Sequence, residues 1–445
     1  MTTGPAGRGE VAVLALLERY LPGYKAGGPL RTVQNMVEQM GPPFRFRILT
    51  RDRDLGDARP YPGIVPGAWQ PVGRGEAMYL PPRQVGLRGL RRAMRGTAYD
   101  VLYLNSLFSA PMSIAPLLLR RLRAVPVTPV VLAPRGELHP GALSVGGWGG
   151  WLPRRLAERL PPPKYLKKRL YIALSGAAGL YRGVTWQASS EHEAAEIRRR
   201  MGRRAAVVVA PDLVAAPAPC AVLRAPKRAG VVRAMFLSRI DPKKNLAYAI
   251  ALLGGVRGRV ELGIYGPVGD PDYWARCRAL FEALPPHVEV RYHGPVQSDR
   301  VAALMRSYDV FLLPTLGENF GHVVVEALVQ GCPALISDQT PWRGLEAAHA
   351  GWDLPLDRPA AFVAALQRVS DMGPDEHARW SAGAAALGRR RSADETALRL
   401  NRELFLRTAG SLADARRERG PRPPARPRAQ GLLAAPGLSR GGGRG

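Results

Sequence analysis

Cysteine, acidic residues and long apolar runs are what this 445-residue chain is short of. Its three cysteines, Cys220, Cys277 and Cys332, are too far apart for any metal-ligand spacing, so a reduced, cytoplasmic setting is the simplest expectation. Residues 11–17 form an apolar run too short to cross a membrane, with no small-residue cleavage pattern after it, and no other run approaches about 18 residues. A bilayer-spanning chain is therefore not expected. Acids number 36 against 64 Lys+Arg, a formal net charge of +28, which favours polyanionic partners such as nucleic acid, anionic lipid or phosphorylated substrates. A composition heavy in Arg, Ala, Gly and Pro gives the same charge without any partner. With 46% hydrophobic residues, the chain is long enough for two domains, each with its own core.

The stretch 308–342, YDVFLLPTLGENFGHVVVEALVQGCPALISDQTPW, has the layout of a ligand site at the edge of a parallel sheet. Residues 309–314 read as a strand buried on both faces and 315–318 as a loop. Asn319 is the expected N-cap of a helix over 323–329, Gly331 and Pro333 stop that helix, and 332–338 is the next strand. Glu318 and Glu326 are roughly 10 Å apart along the axis, a span that fits a sugar ring at one end and a ribose at the other. Between them the N–H groups of Phe320, Gly321, His322 and Val323 sit at the positive end of a helix dipole, where phosphate or sugar oxygens dock. Gly321 permits a close approach. The competing reading is a capped helix with Glu318 in a solvated loop and Glu326 on a wet face.

Elsewhere the chain alternates short apolar runs with helical segments. The first strand, 10–17, runs into a loop carrying Gly27, Gly28 and Pro29, which can bring backbone against a diphosphate. Further strands are expected at 44–50, 99–105, 127–133, 184–190 and 207–211, and 51–83 reads as loop. The 127–133 strand ends at APRGELHPGAL, placing Arg135, Glu137 and His139 where open parallel sheets bind ligands. Residues 153–183 are basic with interleaved apolar positions. They read preferentially as an amphipathic helix covering the sheet, with Lys167, Lys168 and Arg169 solvated, and alternatively as a membrane-surface patch. Residues 212–230 read as a linker. Strand 234–238 then opens a second strand-helix series, and RIDPKKN offers Arg239 and Lys244 as a pair of cations for a diphosphate. Residues 340–342 are expected to open a helix, 360–372, 376–387 and 393–408 to close the domain, and about 410 onward to be a basic tail.

Several of these stretches resemble glycosyltransferase family 4, the group 1, retaining, nucleotide-sugar-dependent enzymes of the GT-B fold. They are the Glu-x7-Glu segment with its ENFG core and following GCPALISD, the PGYKAGGP loop, PRGELHPGAL, TWQASSEHEAAEI, and SRIDPKKN, where Ser238 stands in place of the family's usual glycine. The resemblance implies an α/β fold of two Rossmann-like domains facing across a cleft. Residues 1–210 would be the acceptor-side domain, 211–230 the linker, 231–390 the nucleotide-sugar-binding domain, 391–409 a terminal helix crossing back and 410–445 a disordered basic tail.

It further implies a hexosyltransferase moving a sugar from a nucleoside diphosphate sugar to an acceptor hydroxyl with retention, in cell-surface polysaccharide or glycolipid synthesis. Glu318 would hold sugar hydroxyls and Glu326 the ribose. Arg239, Lys244, the Gly27–Gly28 loop and the N–H groups of Asn319, Phe320, Gly321 and Val323 would hold the diphosphate, and His139 would meet a sugar hydroxyl or the acceptor. No metal and no cofactor beyond the donor is implied. Expected partners are the donor, a carbohydrate or lipid-linked acceptor and an anionic membrane surface at the cytoplasmic face, but not nucleic acid. The alternatives are an inactive GT-B scaffold, against which Arg239, Lys244, Glu318 and Glu326 jointly argue, or a basic nucleic-acid- or lipid-binding protein, which leaves the glutamate pair unexplained.

Overall fold

The structure, a computed structural model, describes residues 10–139, 163–215 and 223–418. Two sheets organise them. The first contains β1 (Val11–Leu16), β2 (Phe44–Arg51), β3 (Trp69–Val72), β4 (Gly75–Leu80), β5 (Val101–Leu104), β6 (Val130–Leu132), β7 (Val184–Ala188) and β8 (Ala206–Val209), in the spatial order β3-β4-β2-β1-β5-β6-β7-β8. The second contains β9 (Val231–Leu237), β10 (Arg259–Tyr265), β11 (Val288–Gly294), β12 (Val310–Leu313), β13 (Ala334–Ser337) and β14 (Gly351–Leu354), ordered β11-β10-β9-β12-β13-β14. Every ladder is parallel except β3 against β4.

The central strands are buried on both faces, which is why they read as unbroken apolar runs rather than alternations. In β1, Val13 and Ala15 enter one core layer while Leu14 and Leu16 enter the layer behind the sheet. Strand order reverses between β1 and β5 in the first sheet and between β9 and β12 in the second. Ligands in such sheets bind outside the carboxyl ends of the strands at these reversals. The loops after β1, β5, β9 and β12 are the ones that carry most of the candidate residues.

The helices that bear on the site are α1 (Gly28–Met40), α2 (Pro163–Ala177), α3 (Glu191–Met201), α4 (His322–Val329), α5 (Pro374–Ser392) and α6 (Glu395–Glu418). After α5 packs on α4, the chain leaves the second domain and α6 lies on α1, β5 and β6 of the first. Phe405 of α6 is fully buried between Phe44, Phe46 and Tyr103. Asn401 donates to Pro211 O at 2.8 Å and accepts from Gln187 Nε2 at 2.9 Å, fixing the linker beside the first sheet.

Several sequence expectations change. The β3–β4 hairpin lies inside the expected 51–83 loop; Pro71 tolerates this only because β3 is an edge strand. Residues 340–342 form a turn rather than a helix start, with Trp342 N–H held by Thr340 Oγ1 at 3.2 Å. Helix α6 continues past 410 to Glu418, through residues rich in good helix formers. In α2 the leucines do not cover the sheet: Leu166, Leu170 and Leu174 are 58%, 57% and 60% exposed, while Ile172 and Tyr171 make the inward contacts. Residues 140–162, which include the first part of the basic 153–183 stretch, and the tail beyond 418 lie outside the described residues.

Candidate active site

One half of the candidate site is built on the β12–α4 loop. Gly321, at φ 83, is the N-cap of α4, so Asn319 is not its cap as the sequence suggested. The reason is local: a left-handed turn at Gly321 swings the chain into the helix two residues later than an Asn319 cap would. Asn319 Nδ2 is instead buried without a partner, and its Cβ side packs where a Cβ on Gly136 of the first domain would come, 3.1 Å away. Among the described residues no acceptor is bound by the backbone N–H groups of Asn319, Phe320, Gly321, His322 and Val323. These five successive donors sit at a helix start between the two glutamates, the arrangement that binds anionic oxygens.

Glu318 is pinned by its own N–H to Gln339 O at 2.8 Å, and its carboxylate is ion-paired with Lys244 Nζ. Burial pushes this carboxyl up, but Lys244 and Lys243 more than offset it and hold the group below the ordinary carboxylate range. Glu326, one face further along α4, has the opposite balance. Burial raises its carboxyl, against the weaker pull of Arg31, whose Nε is 3.8 Å away, and of His322.

The β9 loop supplies the cations. Asp241 caps the short turn Pro242–Lys244 by accepting from Lys243 N at 3.0 Å, and Asn245, at φ 59, anchors the loop to Pro314 O through a 2.9 Å bond. Lys244 thereby reaches Glu318. Lys243, which sequence reasoning passed over, is held low mainly by burial and stands beside Gly317. Arg239 is half-exposed and bonded to Asp241 at 2.7 Å, so it lies at the rim, clear of the glutamate pair.

The first domain closes the other side. Gly27, at φ 71, caps α1, and Gly28 faces His322, whose Cδ2 is 3.8 Å from the position a Cβ would occupy. The His322 ring bonds Thr32 Oγ1 at 2.9 Å and stands 3.6 Å from Asp212. Asp212 is buried with Arg135 as its ion-pair partner, and Arg135 also donates to Asn105 Oδ1 at 2.7 Å. His322 is thus a site residue the sequence offered only as a backbone donor; its place directly after Gly321, at the first turn of α4, was the available signal.

Arg135, Glu137 and His139 do not form one ligand cluster. Arg135 is spent on Asp212 and Asn105. Glu137 is buried and accepts from Ser106 Oγ at 2.8 Å, Leu107 N at 2.6 Å and Phe108 N at 3.2 Å, binding its loop to the one after β5. Only His139 faces the second domain, its Nδ1 3.1 Å from where a Gly317 Cβ would lie. Two Asp-x-Asp triplets occur, at 52–54 and 270–272, and both have scaffold roles. Asp52 pairs with Arg53, Asp54 accepts from Tyr24 N and Lys25 N, and Asp270 caps the helix Pro271–Phe281.

This geometry can be set beside known proteins. Residues 226–386 match the family model described as glycosyl transferases group 1. A phosphatidyl-myo-inositol mannosyltransferase of Mycobacterium leprae is 34% identical over 152 residues, 32% of this chain and 39% of that protein. A D-inositol 3-phosphate glycosyltransferase of Streptomyces griseus is 30% identical over 157 residues, 34% of this chain and 30% of that one. The matched part thus spans well under half the length of these curated relatives. Among solved structures, the sucrose-phosphate synthase of Thermosynechococcus elongatus superposes with a TM-score of 0.61 at 15% identity, covering 92% of this chain and 100% of that one. Anabaena HepE in complex with UDP-glucose gives 0.58 at 14% identity, with 91% and 100% coverage. Residues 226–386 therefore match group 1 glycosyltransferases in sequence, and the chain as a whole shares the two-domain GT-B fold.

Proposed function

We propose that the protein transfers a hexosyl group from a nucleoside diphosphate sugar to an acceptor hydroxyl with retention at the anomeric carbon. The observation that carries this reading is the row of five open backbone donors at residues 319–323. It lies between Glu318 and Glu326, with Lys244 and Lys243 on one side and the Gly27–Gly28 loop on the other. A diphosphate laid on those donors directs its sugar towards Glu318 and its ribose towards Glu326.

In the reaction the bond from the anomeric carbon to the diphosphate oxygen breaks and the acceptor oxygen bonds to that carbon from the same face. The acceptor's proton passes to the leaving phosphate oxygen. Negative charge grows on the diphosphate, where Lys244, Lys243 and the α4 donors are already oriented; pre-set donors of this kind stabilise developing charge without reorganisation. Arg239 needs a rotation away from Asp241 to join them. Glu318 gives up its Lys244 contact in part to the sugar hydroxyls, and His139 faces the acceptor side.

The acceptor class we infer is lipid-linked, with work at an anionic membrane surface. Relatives from Mycobacterium leprae and Mycolicibacterium smegmatis are named phosphatidyl-myo-inositol mannosyltransferases. Helix α2 presents three exposed leucines four residues apart and bears four cations and no acid along its 15 residues. No described helix is long and apolar enough to cross a membrane. The test is product formation: the purified protein is incubated with UDP- and GDP-hexoses and a lipid extract, and lipid products are read by mass spectrometry. A new glycolipid, made by the parent and absent with Glu326→Ala, is expected. Donor turnover equal in parent and variant would overturn the assignment.

A further inference from the structure

A second site stands on the first domain, where the loop after β6 meets α3. Helix α3 carries two buried glutamates with different surroundings. Glu193 accepts from Gly136 N at 2.6 Å, Ser189 N at 2.8 Å and Ser189 Oγ at 2.9 Å, so its charge is fully used. Glu196 is 4% exposed; its ion-pair partner is His192, one turn earlier, at 3.6 Å and itself 71% exposed, and Arg199 and Arg200 act on it electrostatically from the same helix. Burial outweighs these cations and still raises the carboxyl, so a cation bound directly to it would offset the cost of taking it out of water.

The third member comes from a different element. His139 of the β6 loop has its ring 5.8 Å from that of His192, and ligand atoms of His139, His192 and Glu196 all lie within 4.8 Å of one another. Two imidazoles and one carboxylate suit a borderline divalent ion such as Zn2+ or Co2+ rather than Mg2+. Tetrahedral binding with bonds of about 2.0–2.2 Å draws the ligand atoms to a little over 3 Å apart. The adjustment falls on His192, whose exposed side chain is free to change rotamer.

We propose that His139, His192 and Glu196 form a binding site for one divalent transition-metal ion of the zinc type. Three protein ligands leave a fourth position for water or an exogenous group. The bound ion ties the 134–139 loop, which forms the first-domain wall facing Gly317, to helix α3. His139 also lines the cleft opposite Gly317, but binding of the ion does not depend on the donor reading.

The experiment uses the full chain without an affinity tag, stripped with EDTA and dialysed. It is titrated with Co2+ by visible absorption and with Zn2+ by calorimetry. One equivalent should bind, with the intense visible bands of four-coordinate Co2+, and Zn2+ should raise the unfolding temperature. His192→Ala and Glu196→Gln should each weaken binding by at least the about tenfold that removing a mere outer-sphere partner costs, because each removes a ligand itself. Circular dichroism and the metal-free melting temperature show that each variant is folded. Absence of stoichiometric binding, or binding unchanged in both folded variants, overturns the proposal.

Discussion

Glu318 and Glu326 share a loop and a helix, yet their carboxyls are shifted in opposite directions, and the cause is the company each keeps. Lys244 and Lys243 hold Glu318 ionised, whereas Glu326 has only the weaker pull of Arg31, at 3.8 Å, and of His322 against its burial. The Glu318 contribution to stability is therefore present above the unfolded-state carboxyl value and lost as pH falls through the lower folded one. Lys244→Ala removes the main offset, so the acid limb of both stability and donor binding should move to higher pH. Urea denaturation and nucleotide titration from pH 4 to pH 7, as rough limits around carboxylate titration, check this; an acid limb identical to the parent's contradicts it. The Arg135–Asp212 pair offers a second residue-scale prediction. Arg135→Met leaves Asp212 buried beside His322 without its ion-pair partner, and loss of about 3–5 kcal/mol is expected by chemical denaturation, the usual cost of orphaning a buried charge. A loss within about 0.5 kcal/mol, as at an indifferent surface site, contradicts it.

At the scale of elements, α2 gives the sharpest departure from its sequence. Its apolar spacing predicts a helix packed on the sheet, but periodicity specifies only that one face is apolar, not what covers it. Tyr171 and Ile172 take the inward role, leaving Leu166, Leu170 and Leu174 in a row on the outside, with Lys167 and Arg169 exposed on the same helix. The chain should co-sediment with vesicles containing phosphatidylglycerol, less so at high salt, and the triple change of these leucines to Ser should release it. Retention of the triple variant on the vesicles would place the membrane contact elsewhere. The hairpin β3–β4 escaped the sequence because an edge strand carrying Pro71 and bounded by Gly73 and Gly75 has the composition of a loop. The α4 start was legible in its function and misplaced in its detail: open donors were expected between the glutamates, and they are there, but the cap is Gly321, because a positive φ matters more at that bend than an Asn side chain does.

For the whole molecule, the sequence patterns were most informative where the fold is most regular. Doubly buried strands and their glycine-ended turns mark both sheets, but loops as far apart in sequence as Thr32 and His322, 290 residues, meet in one cleft, a meeting no local pattern encodes. That is why Gly28, Thr32, Asp212 and His322 were not readable as neighbours. The closing device is α6, whose Phe405 fills the core of the first domain after α5 has packed on the second. Phe405→Ala should cost about 3–5 kcal/mol, the range for an aromatic removed from a packed core. A melting temperature equal to that of the parent would mean that α6 is not part of this core.

The central claim is that the 318–326 segment binds a nucleoside diphosphate across the cleft. Its most direct test is calorimetric titration of UDP, GDP, ADP and dTDP into the full chain with EDTA present, repeated on Glu326→Ala and Lys244→Ala. One nucleotide should bind, and each substitution should weaken it about tenfold or more, as expected for loss of a charge-assisted contact of about 1.5–3 kcal/mol. Binding of no nucleotide, or binding indifferent to both substitutions, would contradict the account and leave a GT-B fold with another use.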